Sequence, residues 1–196
     1  MPEEELQEAL RTLADAAYLR SRASARGELH LQAALIRDAA YEALLKSRRR
    51  ELHRLVARTI NEQCPALKEA HPEVLARHWT EAGETEPAIV EWSRAGEGAR
   101  ARSAFSQALE SYQRAVAVLN LLPESPERDL RELDLTQLVS EMLYITRGYS
   151  ASETTQAIER AGTLAEKSGN LAHLVSRPAN NFTILLGLFA AFALKN

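Results

Sequence analysis

The chain has 196 residues, of which 45% are apolar, and it carries a formal net charge of −3. This length and composition are sufficient for one or two folded domains and do not indicate a disordered chain. The slightly acidic balance gives the whole molecule no electrostatic attraction to nucleic acid or anionic lipid, and a single cysteine excludes an internal disulfide and a multi-thiolate metal site.

The two ends of the chain predict a cytoplasmic protein without a membrane span. The first segment, MPEEELQEALRTL, is acidic and periodic, whereas a secretory signal starts basic and continues as an apolar run. The most apolar stretch, residues 182–194, has 13 residues, and a spanning helix needs about 20.

The N-terminal part predicts a helix, a short hairpin and further helices. Alanine, leucine, glutamate and arginine dominate the chain, so we expect an all-α fold, with a first helix that ends near Tyr18. After Gly27, Leu29 and Leu31 alternate with polar residues, which indicates a β-hairpin. Together these elements suggest a small winged-helix-like part.

A cluster of basic residues lies at a predicted corner between two helices, within residues 46–58. Arg50, Arg54 and Arg58 recur every four residues on the polar face, so all three should be exposed. A break before this helix, capped by Ser47, places the remaining cations at the corner. One interpretation is phosphate contact by this basic corner, and the other is a solvated face paired with local acids. The lack of net positive charge favours the solvated face. The basic corner comprises Lys46, Arg48, Arg49, Arg50, Arg54 and Arg58.

From residue 64 onward the chain predicts successive antiparallel helices. Proline and glycine positions delimit helices at about 73–82, 87–100, 103–122, 127–147 and 153–167. Ser150 and Glu153 have the spacing of a capping box, which predicts that Ser150 caps the last of these helices. Large and small apolar residues recur on them in an order close to the tetratricopeptide repeat of about 34 residues. We expect the aromatic residues of this pattern to be core rather than to line a peptide groove. The repeat-packing positions are Trp79, Trp92, Ala95, Ala108, Tyr112 and Ala115.

These segments carry a family resemblance. The runs ALIRDAAYEALLKSRRRELHRLVA and HPEVLARHWTEAGETEPAIVEWSRAGEGARARSAFSQALESYQRAVAVL resemble the C-terminal half of bacterial signalling proteins that join an adenylate/guanylate cyclase domain, an ATPase module and a tetratricopeptide tail. The resemblance covers about residues 3–170 and implies a winged-helix and linker region at 1–63. It implies tetratricopeptide-like repeats at 64–196, truncated at the C-terminus. At residues 31–35 an aromatic and a histidine of the family are missing.

The resemblance implies a regulatory rather than a catalytic chain, because the cyclase and nucleotide-binding domains would precede Met1. We therefore expect no enzyme activity and no cofactor. The leading hypothesis is a module that binds a protein partner or regulates attached signalling domains. The alternative is a nucleic-acid-binding regulator that uses the basic corner.

Two further motifs contain residue types that can bind a metal or a phosphate. His71, His78 and Glu81 could share one helix face, but a metal site usually needs a second, separated pair of ligands. Residues 96–98, Gly-Glu-Gly, lie inside a helical pattern and lack the strand and the Lys-Ser/Thr ending of a phosphate loop. We expect neither a metal nor a nucleotide site.

Residues 182–194 predict self-association. An apolar helix at the open end of a repeat stack needs a cover, and pairing with a second copy across a two-fold axis would provide it. Light scattering should therefore show a homodimer for the full chain and a monomer for a version that ends at Arg177. A monomeric full chain would contradict this prediction.

Overall fold

The computed structural model describes residues 41–169 and the backbone of two short strands at 19–21 and 29–31. Within these residues the chain from Lys46 onward is helical, which confirms the all-α prediction. None of the described helices is long and apolar enough to cross a bilayer. The helices are α1 (Lys46–Gln63), α2 (Pro65–Ala70), α3 (Pro72–Ala82), α4 (Thr85–Ala101), α5 (Phe105–Leu119), α6 (Pro126–Arg147) and α7 (Ser152–Lys167).

The predicted hairpin is present as a pair of three-residue strands. Strand β1 (Leu19–Ser21) pairs antiparallel with β2 (Leu29–Leu31), so that Arg20 lies opposite His30. The winged-helix unit to which we assigned this hairpin stays a prediction, as does the division of the chain at residue 63. The contacts between residues divide the chain into two compact units, Met1–Arg49 and Arg50–Asn196.

Consecutive helices from α3 to α7 pack against one another. Tight turns allow this arrangement, since Gly83 ends α3 in the left-handed conformation with φ 78°, which glycine adopts without steric cost. Ser103 makes the equivalent turn after α4 with φ 59°. The side chain of Ser125 caps α6 by accepting a hydrogen bond from the Arg128 backbone N–H at 3.1 Å.

The main core lies between α4 and its neighbours, and it contains most of the repeat-packing positions. Trp92, Ala95, Ala108, Tyr112 and Ala115 are all buried there. Trp79 is half-buried and packs against this core from α3. The aromatic residues therefore contribute to helix packing, as the spacing predicted.

Buried residues occupy matching places on α4 and α5. Ala88 and Ala108 lie 20 residues apart, and so do Trp92 and Tyr112. The tetratricopeptide repeat of about 34 residues stays a prediction. Because α4 packs on both α3 and α5, its residues take part in both helix pairings.

Two predicted helix caps are wrong. Helix α1 begins at Lys46, so Ser47 lies inside it, and the break falls at residues 44–45. The Arg49 Nε donates to the Leu44 carbonyl at 3.1 Å, which holds this corner. At α7 the cap position is taken by Ala151 without a side-chain hydrogen bond, rather than by Ser150.

Ion pairs fasten α7 to α6. The buried carboxylate of Glu132 accepts from Arg128 on its own helix, and its Oε1 lies 2.6 Å from the Arg160 Nη2 on α7. Lys167 of α7 lies 2.8 Å from Asp129 of α6, and this hydrogen-bonded ammonium lowers the pKa of the Asp129 carboxyl. The buried carboxylates are thus paired, as burial of charge requires.

Candidate functional site

Helices α3, α4 and α5 enclose a groove of about 680 Å³. Its apolar surface comes from Val74, Trp92, Ala95 and Ala99, and the rest is lined by six charged and three uncharged polar side chains. Sequence reasoning missed this groove because its residues come from three helices whose relative positions no local pattern specifies. The charged lining residues are Glu73, Arg77, Glu81, Arg102, Glu110 and Arg114.

Trp92 forms part of the groove wall, although most of its side chain lies in the core. Only 6% of the residue is exposed. Its indole Nε1 donates to the Thr80 Oγ1 at 3.0 Å, which joins α4 to α3. The Arg114 guanidinium of α5 lies 5.0 Å from the centre of the Trp92 ring and donates to Glu110 at 2.7 Å. Three helices therefore hold this wall in a fixed geometry.

Two arginines of the groove remain without an ion pair to a described residue. Arg77 of α3 and Arg102, directly after α4, are both exposed. Of the lining carboxylates, Glu73 lies 3.0 Å from the His71 ring and Glu110 is paired with Arg114. A guanidinium is planar and carries several hydrogen-bond donors in a geometry that suits carboxylates. These two arginines can therefore donate hydrogen bonds to acidic groups of a ligand.

The structure divides the basic corner instead of presenting it as one patch. The Arg49 guanidinium lies 5.1 Å from the centre of the Tyr41 ring. Arg54 is half-buried and donates to Glu84 at 2.7 Å. The prediction that Arg54 is exposed is wrong, because Glu84, directly before α4, brings a carboxylate to its guanidinium.

Other members of the basic corner remain at the surface. Lys46, Arg50 and Arg58 are exposed, which confirms the prediction for the two arginines, and Arg48 is half-buried. Within the described part of the chain, therefore, the exposed cations on α1 are separated by residues that engage other side chains.

His71 and His78 have different partners. His71 contacts Glu73, whereas the Nδ1 atom of His78 lies 2.9 Å from that of His53 on α1. Glu81 is exposed. No group of three or more metal-ligating side chains occurs in the part of the chain that the structure describes. Residues 96–98 lie inside α4, as predicted.

Comparison with known proteins gave no relatives. No protein-family model matches the chain. No curated protein sequence and no solved structure matches it either.

Proposed function

We propose that this chain is a non-catalytic helical-repeat module that binds an extended segment of a protein partner in the groove between α3, α4 and α5. The observation that carries the proposal is the groove itself, in which Arg77 and Arg102 make no ion pair with a described residue and lie beside the wall formed by Trp92. A peptide backbone can lie over the small residues Ala95 and Ala99, while its acidic side chains meet the two guanidinium groups.

The resemblance to cyclase–ATPase–tetratricopeptide proteins supports a regulatory setting for this binding. In such an architecture the repeats would receive a signal by binding a partner and pass it to attached signalling domains. We therefore propose that the chain is a tetratricopeptide-like module that belongs to a cytoplasmic bacterial signalling system. The chain's own contribution to that system is partner recognition in the groove.

Panning of phage-displayed random peptides on the immobilised chain tests this function. We expect selected peptides to be acidic and to lose binding when Arg77→Glu and Arg102→Glu are combined. The matched control combines Arg50→Glu and Arg58→Glu, which makes the same charge change on exposed residues of α1. The proposal fails if no peptide is selected, or if the control abolishes binding and the groove variant does not.

Duplex DNA should bind only weakly. The division of the basic corner and the net charge of −3 leave few phosphate contacts, and nonspecific binding depends on such contacts. We expect a Kd above about 1 µM at physiological salt, measured by fluorescence anisotropy. Tighter, salt-dependent binding that Arg50→Glu and Arg58→Glu remove would instead support the nucleic-acid alternative.

A further inference from the structure

The groove between α3, α4 and α5 also contains a carboxylate that makes no ion pair with a described residue. Glu81, near the end of α3, is exposed and lines the groove. His78 supplies no positive charge at neutral pH, because burial lowers the pKa of its ring and neighbouring positive charges lower it further, which Glu81 offsets only in part. The carboxylate of Glu81 is therefore available to a positive group of a ligand.

Arg77 lies one helical turn before Glu81 and lines the same groove, but the two side chains do not pair with each other. Residues four apart on a helix pair best when the acid comes first, and here the arginine comes first. Glu73, one turn before Arg77, has the better order, but it lies 3.0 Å from the His71 ring instead. Helix α3 thus presents a negative and a positive charge separately, about 6 Å apart along its axis.

The path of the chain places Arg102 far from these two charges. Only two residues join α3 to α4, and so short a connection makes the helices antiparallel. Glu81 therefore lies at the end of the groove where α4 begins, whereas Arg102 directly follows the other end of α4. Measured along the helices from the turn at Gly83, Arg77 is about 8 Å away and Arg102 about 26 Å. The two arginines are thus about 18 Å apart along the groove.

The unpaired charges of the groove have an order that an extended segment can match. From the turn onward they are negative, positive and positive, since Arg114 and Glu110 pair with each other. An extended chain advances about 3.3 Å per residue and turns alternate side chains to the same face, so that residues two apart are separated by about 6.6 Å. This is close to the interval between Glu81 and Arg77. The interval between the two arginines corresponds to about five or six residues.

We propose that the segment bound in the groove carries a basic residue for Glu81, an acidic residue two positions away for Arg77, and a second acidic residue about five or six positions further on for Arg102. This charge order rests on the proposed function. It makes Glu81 the residue that distinguishes such a segment from a uniformly acidic one. A segment with acids throughout would place a carboxylate against Glu81, and like charges across an interface oppose binding.

Peptides selected by panning on the full chain test this order, with fluorescence anisotropy as the binding measurement. We expect them to contain a lysine or arginine two positions from an acidic residue. Glu81→Lys should weaken their binding by about fivefold or more, because an attraction becomes a repulsion. Glu97→Lys makes the same charge change on an exposed residue of α4 that does not line this groove, and it should leave the affinity unchanged.

The reciprocal change is made in the peptide. A peptide whose basic residue is replaced by glutamate should bind the unchanged chain more weakly than the selected peptide does, and it should bind Glu81→Lys more tightly than it binds the unchanged chain. A misfolded Glu81→Lys chain cannot produce this reversal of preference.

The charge order is overturned if the selected peptides lack the basic residue, if they bind Glu81→Lys as tightly as the unchanged chain, or if the peptide exchange does not reverse the preference. Groove binding itself stands in those cases, provided that combined Arg77→Glu and Arg102→Glu still removes it. Where the arginine changes also have no effect, the proposed function fails together with the charge order.

Discussion

Replacement of Trp92 with alanine should lower the free energy of unfolding by about 3–5 kcal/mol. The side chain is 6% exposed and packs in the main core, so its removal leaves a cavity between α3, α4 and α5. It also removes the hydrogen bond from the indole to Thr80. Urea denaturation of the full chain, followed by circular dichroism, measures this loss.

Two further variants separate the causes of that loss. Trp92→Phe keeps an aromatic ring and loses the indole N–H, so we expect a smaller effect in which the hydrogen bond accounts for about 1 kcal/mol. Val90→Ala on the same helix removes apolar atoms from a side chain that is 57% exposed, and it should change stability by less than about 0.5 kcal/mol. An unchanged unfolding midpoint in Trp92→Ala would show that this residue belongs to an open surface.

Gly96→Ala should destabilise the protein although alanine favours helices. A Cβ atom at Gly96 would lie 2.4 Å from Cε1 of Tyr112 and less than 3 Å from two other ring atoms. That ring is completely buried and cannot move aside into solvent. We expect overpacking to cost about 1–3 kcal/mol or more, and helix propensity returns only about 1 kcal/mol of it.

Gly98→Ala supplies a matched control in the same helix. The nearest atom to a Cβ there is a terminal guanidinium nitrogen of Arg102 at 3.4 Å, and that flexible side chain can shift. This substitution should therefore stabilise the protein by up to about 1 kcal/mol. Alanine substitutions at two glycines that are two residues apart should thus change the free energy of unfolding in opposite directions in the same denaturation experiment.

The cause of the Gly96 effect can be isolated with a second substitution. In a Tyr112→Ala background the ring that collides with Cβ is gone, so Gly96→Ala should become stabilising. If Gly96→Ala is as well tolerated as Gly98→Ala in the unchanged protein, the close packing of α4 on α5 is wrong.

Local patterns predicted the helices and the core because those features depend on periodicity within one segment. The bounds of α4 and α6 lie within two residues of expectation, and Trp92 and Tyr112 are buried as their spacing indicated. Helix caps were less predictable. Ser47 and Ser150 are good capping residues in general, but α1 begins one residue before Ser47, after a break where Arg49 bonds the Leu44 carbonyl, and Ala151 occupies the cap position of α7.

The groove and the histidine pair could not be predicted from the sequence. Arg77 and Arg102 share a groove because of how α3 and α4 pack. His53 and His78 are 25 residues apart, and no periodic pattern connects positions at that separation. Both sites depend on contacts between helices, and one sequence without its relatives contains no signal for such contacts.

Chemical-shift mapping by NMR is the most direct test of groove binding. Isotope-labelled full chain is titrated with an acidic peptide obtained by panning, and amide and Trp92 indole signals are followed. If the groove is the binding site, the perturbed signals will belong to α3, α4 and α5 around Arg77, Trp92 and Arg102. Perturbation confined to α1 or to the outer face of α6, with the groove signals unchanged, would contradict the proposed function.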